Sequence, residues 1–351
     1  MNMKNVKIAL FFGGKISQHL VLIKKAAKKM GVRLDLVSYN RVFFDTENLE
    51  VGIRNNLSDG TEDKVKNEGW LKISDYDVLF FRTTGKHWEE VDLIVNQITK
   101  NKSTISKIPI IIDPIVLSGK PSMACKAHQM LALKSAGIDV PKTVYGSLWY
   151  LFEKMRQSQS VFLGPHSNAK RVDAVVQKNT FASDFNFPII IKGSGGDRGT
   201  RVFKADNVEE MEKLVRDLRK TETEEGKRYM LQEFIPNDGD YRVLVLGKKV
   251  LGVMKRSSQS LEEFKNNYSA GGKVEVATLP QNILDLAVKA AEVCGLAIAG
   301  VDVAFRDFDI NKPVIWEVNK GPQFKGFMQA TGINVPEEIV KYLVSLKKNN
   351  A

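Results

Sequence analysis

Asp302, Glu317 and Asn319 carry the most specific chemical pattern in the chain. Glu317 and Asn319 are two apart in a strand-like run, so both side chains leave the same face. Two such runs, residues 301–306 and 314–318, flank a polar turn. A symmetric turn sets Asp302 directly opposite Glu317; a shifted register keeps the two carboxylates apart. Two bare carboxylates about 5 Å apart repel by roughly 3 kcal/mol at an effective dielectric of about 20. A favourable cross-strand pair offers only about 0.2–1 kcal/mol, so an opposed pair needs a cation or a shared proton. Three oxygen donors on one face, with room for phosphate oxygens, suit Mg²⁺ held together with a nucleotide.

A glycine loop, Gly193-Ser194-Gly195-Gly196-Asp197-Arg198-Gly199, follows the apolar run Ile189-Ile190-Ile191 and Lys192. No Gly-Lys-Ser/Thr closes it, and Arg198 stands where a dinucleotide fingerprint has its third glycine. It also joins strand to strand, whereas both those motifs join strand to helix. Two readings stay open for it: a plain hairpin connection, or a flap whose backbone N–H groups cover nucleotide phosphates. Lys192 likewise reads as a side chain reaching for water or as a phosphate partner. Side by side, the two features favour nucleotide binding. Further basic residues come in order: Arg242 after Asp240, Arg256 after Lys255, and Lys265 before Asn266-Asn267. On strands the arginines read as solvent-facing; in a nucleotide site they, with Lys265, would steady transferred phosphate charge.

Regular elements must hold these residues in place. Residues 7–12 predict a buried strand, followed by Gly13-Gly14 and an amphipathic helix through Met30, with Gly31 as its stop. Strands at 33–38, 77–82 and 108–112, with a helix at 89–99, make the first ~115 residues a small α/β domain with a parallel sheet. A helix is expected over 122–136, and 145–184 reads as the least regular stretch. Then come a strand at 201–204 and a helix over 208–219, opened by a capping box from Asn207 and Glu210. The strands 241–246 and 249–255 flank Gly247-Lys248 as a hairpin with a type II′ turn. A helix over 282–294 stops at Gly295.

Composition narrows the function classes. Two cysteines exclude a disulfide framework and a four-thiolate zinc site, and four histidines without H-x-x-x-H or H-x-x-E-H spacing read as surface or packing residues rather than metal ligands. No apolar run reaches the ~18 residues of a membrane span. The apolar run after the N-terminal Met-Asn-Met-Lys is too short for a signal-peptide core, which predicts a cytoplasmic protein. The net charge of +11 comes from scattered basic residues without interleaved aromatics. That pattern argues against nucleic acid as the main partner and for an acidic or phosphorylated substrate.

In chain order, the residues Lys126, Lys192 with its glycine flap, Gln232-Glu233-Phe234-Ile235, Asp240-Tyr241-Arg242 and Phe264-Lys265-Asn266-Asn267 form an ordered set. Ala299-Gly300-Val301-Asp302, Glu317-Val318-Asn319 and Thr331-Gly332 complete it. This set resembles the ATP-grasp ligases, and within them the RimK-like branch that adds glutamate to protein or peptide acceptors. The resemblance covers about Cys125 to Thr331.

The resemblance implies an α/β fold, α+β in the C-terminal part. An N-terminal Rossmann-like pre-ATP-grasp domain (1–120) would precede a two-subdomain ATP-grasp module, with a central subdomain carrying the glycine flap (121–235) and a C-terminal subdomain carrying the metal site (236–351). It implies that Lys126, Lys192 and the flap glycines Gly195, Gly196 and Gly199 contact ATP phosphates. Glu233 and Phe234 would line the adenine hinge, and Asp240 would reach the ribose side. Asp302, Glu317 and Asn319 would hold Mg²⁺, two ions with Mn²⁺ able to substitute. Arg256 and Asn267 would face the acyl phosphate, with Arg242 and Lys265 beside them. The implied reaction joins a carboxylate donor to an amine acceptor, one of them acidic, through an acyl phosphate; a homo-oligomer is part of the same expectation. The alternative is a nucleotide-binding regulator or scaffold of this fold without turnover. Three positions differ from the branch's usual pattern: Lys265 in place of arginine, Ser269-Ala270 ahead of Gly271-Gly272, and Lys320-Gly321-Pro322-Gln323 after Asn319.

Overall fold

Five consecutive buried residues, Ile8 to Phe12, place β1 (Lys7–Phe12) at the centre of a parallel sheet. The computed structural model describes residues 6–47, 50–54, 70–100, 107–119, 125–160, 185–194, 201–226, 228–257 and 273–349. The chain runs from β1 through α1 (Gln18–Lys29), β2 (Arg33–Ser38), β3 (Val42–Asp45), β4 (Glu50–Arg54), β5 (Trp70–Lys72), β6 (Val78–Phe81) and α2 (Trp88–Lys100) to β7 (Ile110–Ile112). The sheet order is β2-β1-β6-β7, all parallel. Side chains alternate across the sheet: Ile8, Leu10 and Phe12 join the cluster of Leu20, Ile23 and Ala27 on α1. Ala9 and Phe11 join Val91, Ile94 and Ile98 on α2. Burial on both faces explains why the strand is apolar throughout. The lysines of α1 at 24, 25, 28 and 29 are exposed, as their spacing requires. β3, β4 and β5 make a small antiparallel sheet.

The next stretch holds α3 (Lys126–Ser135), β8 (Thr143–Tyr145), α4 (Leu148–Ser160), β9 (Ile189–Gly193), β10 (Val202–Ala205), α5 (Val208–Thr223) and β11 (Tyr229–Glu233). Its antiparallel sheet has the order β10-β9-β11-β8. The glycine loop therefore does join strand to strand, since Lys192 pairs with Val202. Asn207 caps α5 by accepting the Glu210 N–H at 2.8 Å. α4 corrects the expectation of an irregular stretch at 145–184. Its Leu148, Leu151, Phe152 and Met155 recur on one helical face and are buried; residues 161–184 lie outside the described ones. Of the helix expected over 122–136, residues 126–135 are helical and 121–124 lie outside the described residues.

The last part comprises β12 (Asp240–Leu246), β13 (Lys249–Ser257), β14 (Lys273–Ala277), α6 (Gln281–Val293), β15 (Ile298–Phe305), β16 (Pro313–Lys320), α7 (Lys325–Thr331) and α8 (Val335–Asn349). The antiparallel sheet order is β14-β13-β12-β15-β16. Gly247, at φ +57°, makes the tight β12–β13 turn that its position predicts. Val243, Val245, Val301 and Val303 face α6, whose Ile283, Ala287 and Ala291 share their cluster. The other face turns towards the parallel sheet. Leu244, Leu246 and Ile298 share a core with α1 and with Ile339, Leu343 and Val344 of α8. The fold is α/β, with a parallel first sheet and two mainly antiparallel units after it. Among the described residues, no helix is long and apolar enough to cross a membrane.

Candidate functional site

The β15–β16 pairing sets Asp302 opposite Glu317 and Gly300 opposite Asn319. On the other side of β15, Asp302 faces Arg242 of β12, and Asp240 in turn faces Arg256 of β13. Four adjacent strands thus present one row of charged side chains. A bulge between Asp302 and Val303 follows directly on this row.

Asp302 is buried and heavily bonded. Arg242 grips it with two parallel bonds, Nε to Oδ1 and Nη2 to Oδ2, both 2.7 Å. Arg256 Nη2 reaches Oδ2 at 3.0 Å, and Asn319 Nδ2 donates to the same oxygen at 3.0 Å. Burial alone would raise the Asp302 carboxyl, but Arg242 and Arg256 outweigh it and hold it below the usual range. Arg256 also pairs with the buried carboxylate of Asp240 through Nε and Nη2. The two arginines therefore point inward, which settles the open reading of them as solvent-facing.

Glu317 takes different cations. Lys126 Nζ lies 2.9 Å from its Oε1 and Lys192 Nζ 3.4 Å from its Oε2. Burial would raise this carboxyl too, yet Lys192 and Lys126 hold it well below the usual range. Lys192 itself is pushed down by burial, and Glu317 offsets this only in part. Lys192 leaves β9 and Lys126 opens α3, so the site closes between two sheets. Backbone contacts fix that approach: Lys126 N–H donates to Ser194 O at 3.0 Å, and Gly193 N–H to Arg201 O at 2.8 Å. The cation required by the opposed carboxylates is thus supplied by side chains.

The side chains of the expected hinge residues have protein partners. Glu233 accepts the Lys142 N–H at 2.7 Å and Arg306 Nη2 at 2.6 Å, while Arg306 Nε donates to Asp139 at 2.8 Å. Phe234 carries the Lys204 ammonium 5.1 Å above its ring. Asp240 points at Arg256, so its carboxylate already has a partner. Gly195, Gly196, Gly199, Lys265 and Asn267 lie outside the described residues. Sequence reasoning missed Arg306, and also Gln129, whose Nε2 donates to Val318 O at 3.0 Å on the edge of β16. It missed Arg82 and Asp113 as well, each the residue that follows a buried strand, and that position was the only signal either gave.

Among the described residues, no group of three or more His, Cys, Asp or Glu is placed to hold a metal. The donors here are of another kind: two carboxylates and an amide. Asn319 uses its Nδ2 on Asp302, which leaves its carbonyl oxygen as the third hard donor. Four cationic side chains, Lys126, Lys192, Arg242 and Arg256, face three carboxylates, Asp240, Asp302 and Glu317. This excess of positive charge fits phosphate oxygens, and the oxygen donors fit Mg²⁺.

Comparison with known proteins finds relatives in sequence and in fold. A family model described as "RimK-like ATP-grasp domain" matches residues 163–343. A protein of Hahella chejuensis named "Probable alpha-L-glutamate ligase 2" is 31% identical over 221 residues, 62% of this chain and 61% of that one. A "Probable alpha-L-glutamate ligase" of Rhodopirellula baltica is 32% identical over 158 residues, 44% of this chain and 37% of the relative. The chain thus spans less than two thirds of either relative's length. Among solved structures, the ATP-grasp ligase PsnB, complexed with a phosphomimetic variant of its minimal precursor, Mg and ADP, superposes with a TM-score of 0.63. It covers 98% of this chain and 99% of its own at 15% identity, a likeness of fold.

Proposed function

The chain belongs to the RimK-like ATP-grasp domain family, and from that premise we propose that it is an ATP- and Mg²⁺-dependent carboxylate–amine ligase. The observation that carries the proposal is the convergence of Lys126 and Lys192 on Glu317, directly opposite Asp302. ATP phosphates offer both lysines a better partner, and once they take it the Glu317 carboxylate is free for a cation. Asp302, Glu317 and Asn319 would hold Mg²⁺, two ions with Mn²⁺ as a substitute. Bound there, the metal would neutralise and orient the phosphate oxygens. Arg242 and Arg256 would keep the far side of the site positive as the phosphoryl group moves from ATP to the donor carboxylate. Gly195, Gly196 and Gly199 would cover the phosphates. Glu233 and Phe234 belong to the adenine side, Asp240 to the ribose side, and Asn267 and Lys265 to the acyl phosphate.

In this reading the donor carboxylate attacks the terminal phosphorus of ATP. An acyl–oxygen–phosphorus bond forms as the bond to ADP breaks. The amine then attacks the acyl carbon, loses a proton, and inorganic phosphate leaves. The protein contributes position and charge, with no side-chain nucleophile. The relatives' names and the net charge of +11 both support an acidic, glutamate-like amino acid as one substrate. We assign the first part to 1–120, the flap subdomain to 121–235 and the metal subdomain to 236–351, in a cytoplasmic enzyme.

The test is phosphate release from ATP against pools of amino acids and peptides, with mass spectrometry of the products. Release should require a carboxylate and an amine together, and the product should weigh their sum less one water. ATP binding without release in any pool would replace this reading by that of a nucleotide-binding scaffold.

A further inference from the structure

The two carboxylate-bearing strands are gripped at one shared end by two charged residues that the ligase reading does not use. β15 begins at Ile298, β16 ends at Lys320, and Ala299 pairs with Lys320, so these are the same end of the hairpin. Arg82 directly follows β6 and Asp113 directly follows β7, neighbours at the carboxyl edge of the parallel sheet. Asp113 Oδ1 accepts the N–H groups of Ala297 at 2.9 Å and Ile298 at 3.1 Å, where β15 starts. Arg82 Nη2 donates to the carbonyls of Gly321 at 2.8 Å and Pro322 at 3.4 Å, where β16 has just ended.

Both grips are buried: Arg82 is 6% exposed and Asp113 0%. A buried charged group is costly unless it is hydrogen-bonded, and the hairpin backbone supplies these bonds. The turn is fitted to Arg82. Gly321 has φ +62°, and a Cβ there would lie 3.3 Å from the guanidinium carbon. From this turn a chain of contacts leads into the site. A Cβ on Gly300 would lie 2.9 Å from Pro322 Cβ and 3.4 Å from Arg242 Cδ. Gly300 pairs with Asn319 and accepts its Nδ2 at 3.4 Å, while Arg242 clamps Asp302. At the opposite side of the row the hairpin bulges between Asp302 and Val303. A slip of one residue turns every side chain to the other face, so the bulged hairpin needs a fixed point elsewhere.

We propose that Arg82 and Asp113 are positioning residues: they pin the start of β15 and the exit of β16 so that Asp302 stays opposite Glu317 and Asn319. The role of that register in binding rests on the ligase reading of the three residues; the pinning itself does not.

The test uses the full chain and two readouts. Hydrogen exchange without nucleotide should be about tenfold faster in Arg82→Ala over 297–303 and 316–322, with residues 8–12 of β1 unchanged. Mn²⁺ affinity, measured by electron paramagnetic resonance with a non-hydrolysable ATP analogue, should fall about tenfold. Affinity for the analogue without metal should hold. Arg82→Lys, which keeps one donor for the carbonyls, should recover part of both effects, and Asp113→Asn, which keeps an acceptor oxygen, should stay near wild type. If Arg82→Ala does not fold, Arg82→Met, which keeps much of the side-chain volume but cannot donate to the carbonyls, should give the same exchange pattern. Exchange in Arg82→Ala or Arg82→Met that is unchanged, or faster everywhere alike, would overturn the proposal, as would unchanged Mn²⁺ affinity in either. Wild-type protein that binds no Mn²⁺–nucleotide would overturn the ligase reading instead, and the exchange pattern would still decide the pinning.

Discussion

Lys192 Nζ lies 3.4 Å from Glu317 Oε2, an ion pair that bridges the flap sheet and the sheet of carboxylates. With Lys126 at 2.9 Å on the other oxygen, Glu317 pairs with two ammonium groups that are largely out of water. Two bare carboxylates across β15 and β16 would repel, and neutralising Glu317 would then relieve the fold. These lysines reverse the sign. Glu317→Gln should lower stability at pH 7 without metal by about 2 kcal/mol, since it takes the carboxylate from two cations that are mostly buried but not wholly dry. The carboxyl is held below its unfolded value near 4.5, so its contribution is present above that pH and lost as the pH falls through the folded value. Urea unfolding from pH 7 down to 3 should show a flatter acid limb in the variant. A gain in stability at pH 7 would refute the pairing.

Nucleotide binding should depend on the same two lysines. In the proposed reading each would lose Glu317 and gain phosphate oxygens on ATP binding, so removing either would forfeit a charge-assisted bond worth about 1.5–3 kcal/mol. Lys192→Ala and Lys126→Ala should therefore weaken ATP by about 10- to 100-fold. Calorimetric titration of the folded variants checks this. Equal affinity in both would move the phosphates to another part of the chain.

The carboxylates were legible because local rules suffice: period two puts Glu317 and Asn319 on one face, and a hairpin brings Asp302 across. Lys192 was legible as the charged end of a triple-isoleucine strand. Which cation meets which carboxylate was not, since Lys126, Lys192, Arg242 and Arg256 come from a helix and three strands whose order hydrophobic alternation does not encode. The spacing of Leu148, Leu151, Phe152 and Met155 does carry α4, although the polar residues after it make 145–184 look irregular as a whole. β3 to β5 are short and unevenly buried, and so give little pattern. Arg82 and Asp113 bond to backbone more than 180 residues away, a relation that only packing creates.

A second pH effect should come from Asp77, at the entry to β6. This buried carboxylate accepts the Lys7 N–H at 2.8 Å and pairs with Lys107 and, at 2.9 Å, with Lys347 of α8. Burial would raise it, but the lysines outweigh that and hold it below 3.8. Its contribution is therefore complete well above 3.8 and is lost as the pH falls through the lowered value. Asp77→Asn should cost about 2 kcal/mol at neutral pH and less at pH 3. Parallel denaturation curves at the two pH values check this, and an equal loss at both would show that packing, not charge, is what the residue supplies.

The order of bond making should show in the products. Lys126, Lys192 and the Asp302–Glu317–Asn319 group all gather at one place, where the terminal phosphate would be held with its charge neutralised. An adenylating site would instead have to present the α-phosphate to the carboxylate. Alignment of the donor carboxylate with the terminal phosphorus can supply effective molarities worth roughly 7–11 kcal/mol, so no protein nucleophile is required. ADP and inorganic phosphate should therefore form in equal amounts. Hydroxylamine should trap the activated acyl group as a hydroxamate, and oxygen-18 placed in the donor carboxylate should appear in the released phosphate. Glu317→Ala should abolish both the trapping and the label transfer while the protein stays folded. AMP and pyrophosphate as products, or label in AMP, would show attack at the α-phosphate and overturn the assignment of the site to acyl phosphate chemistry.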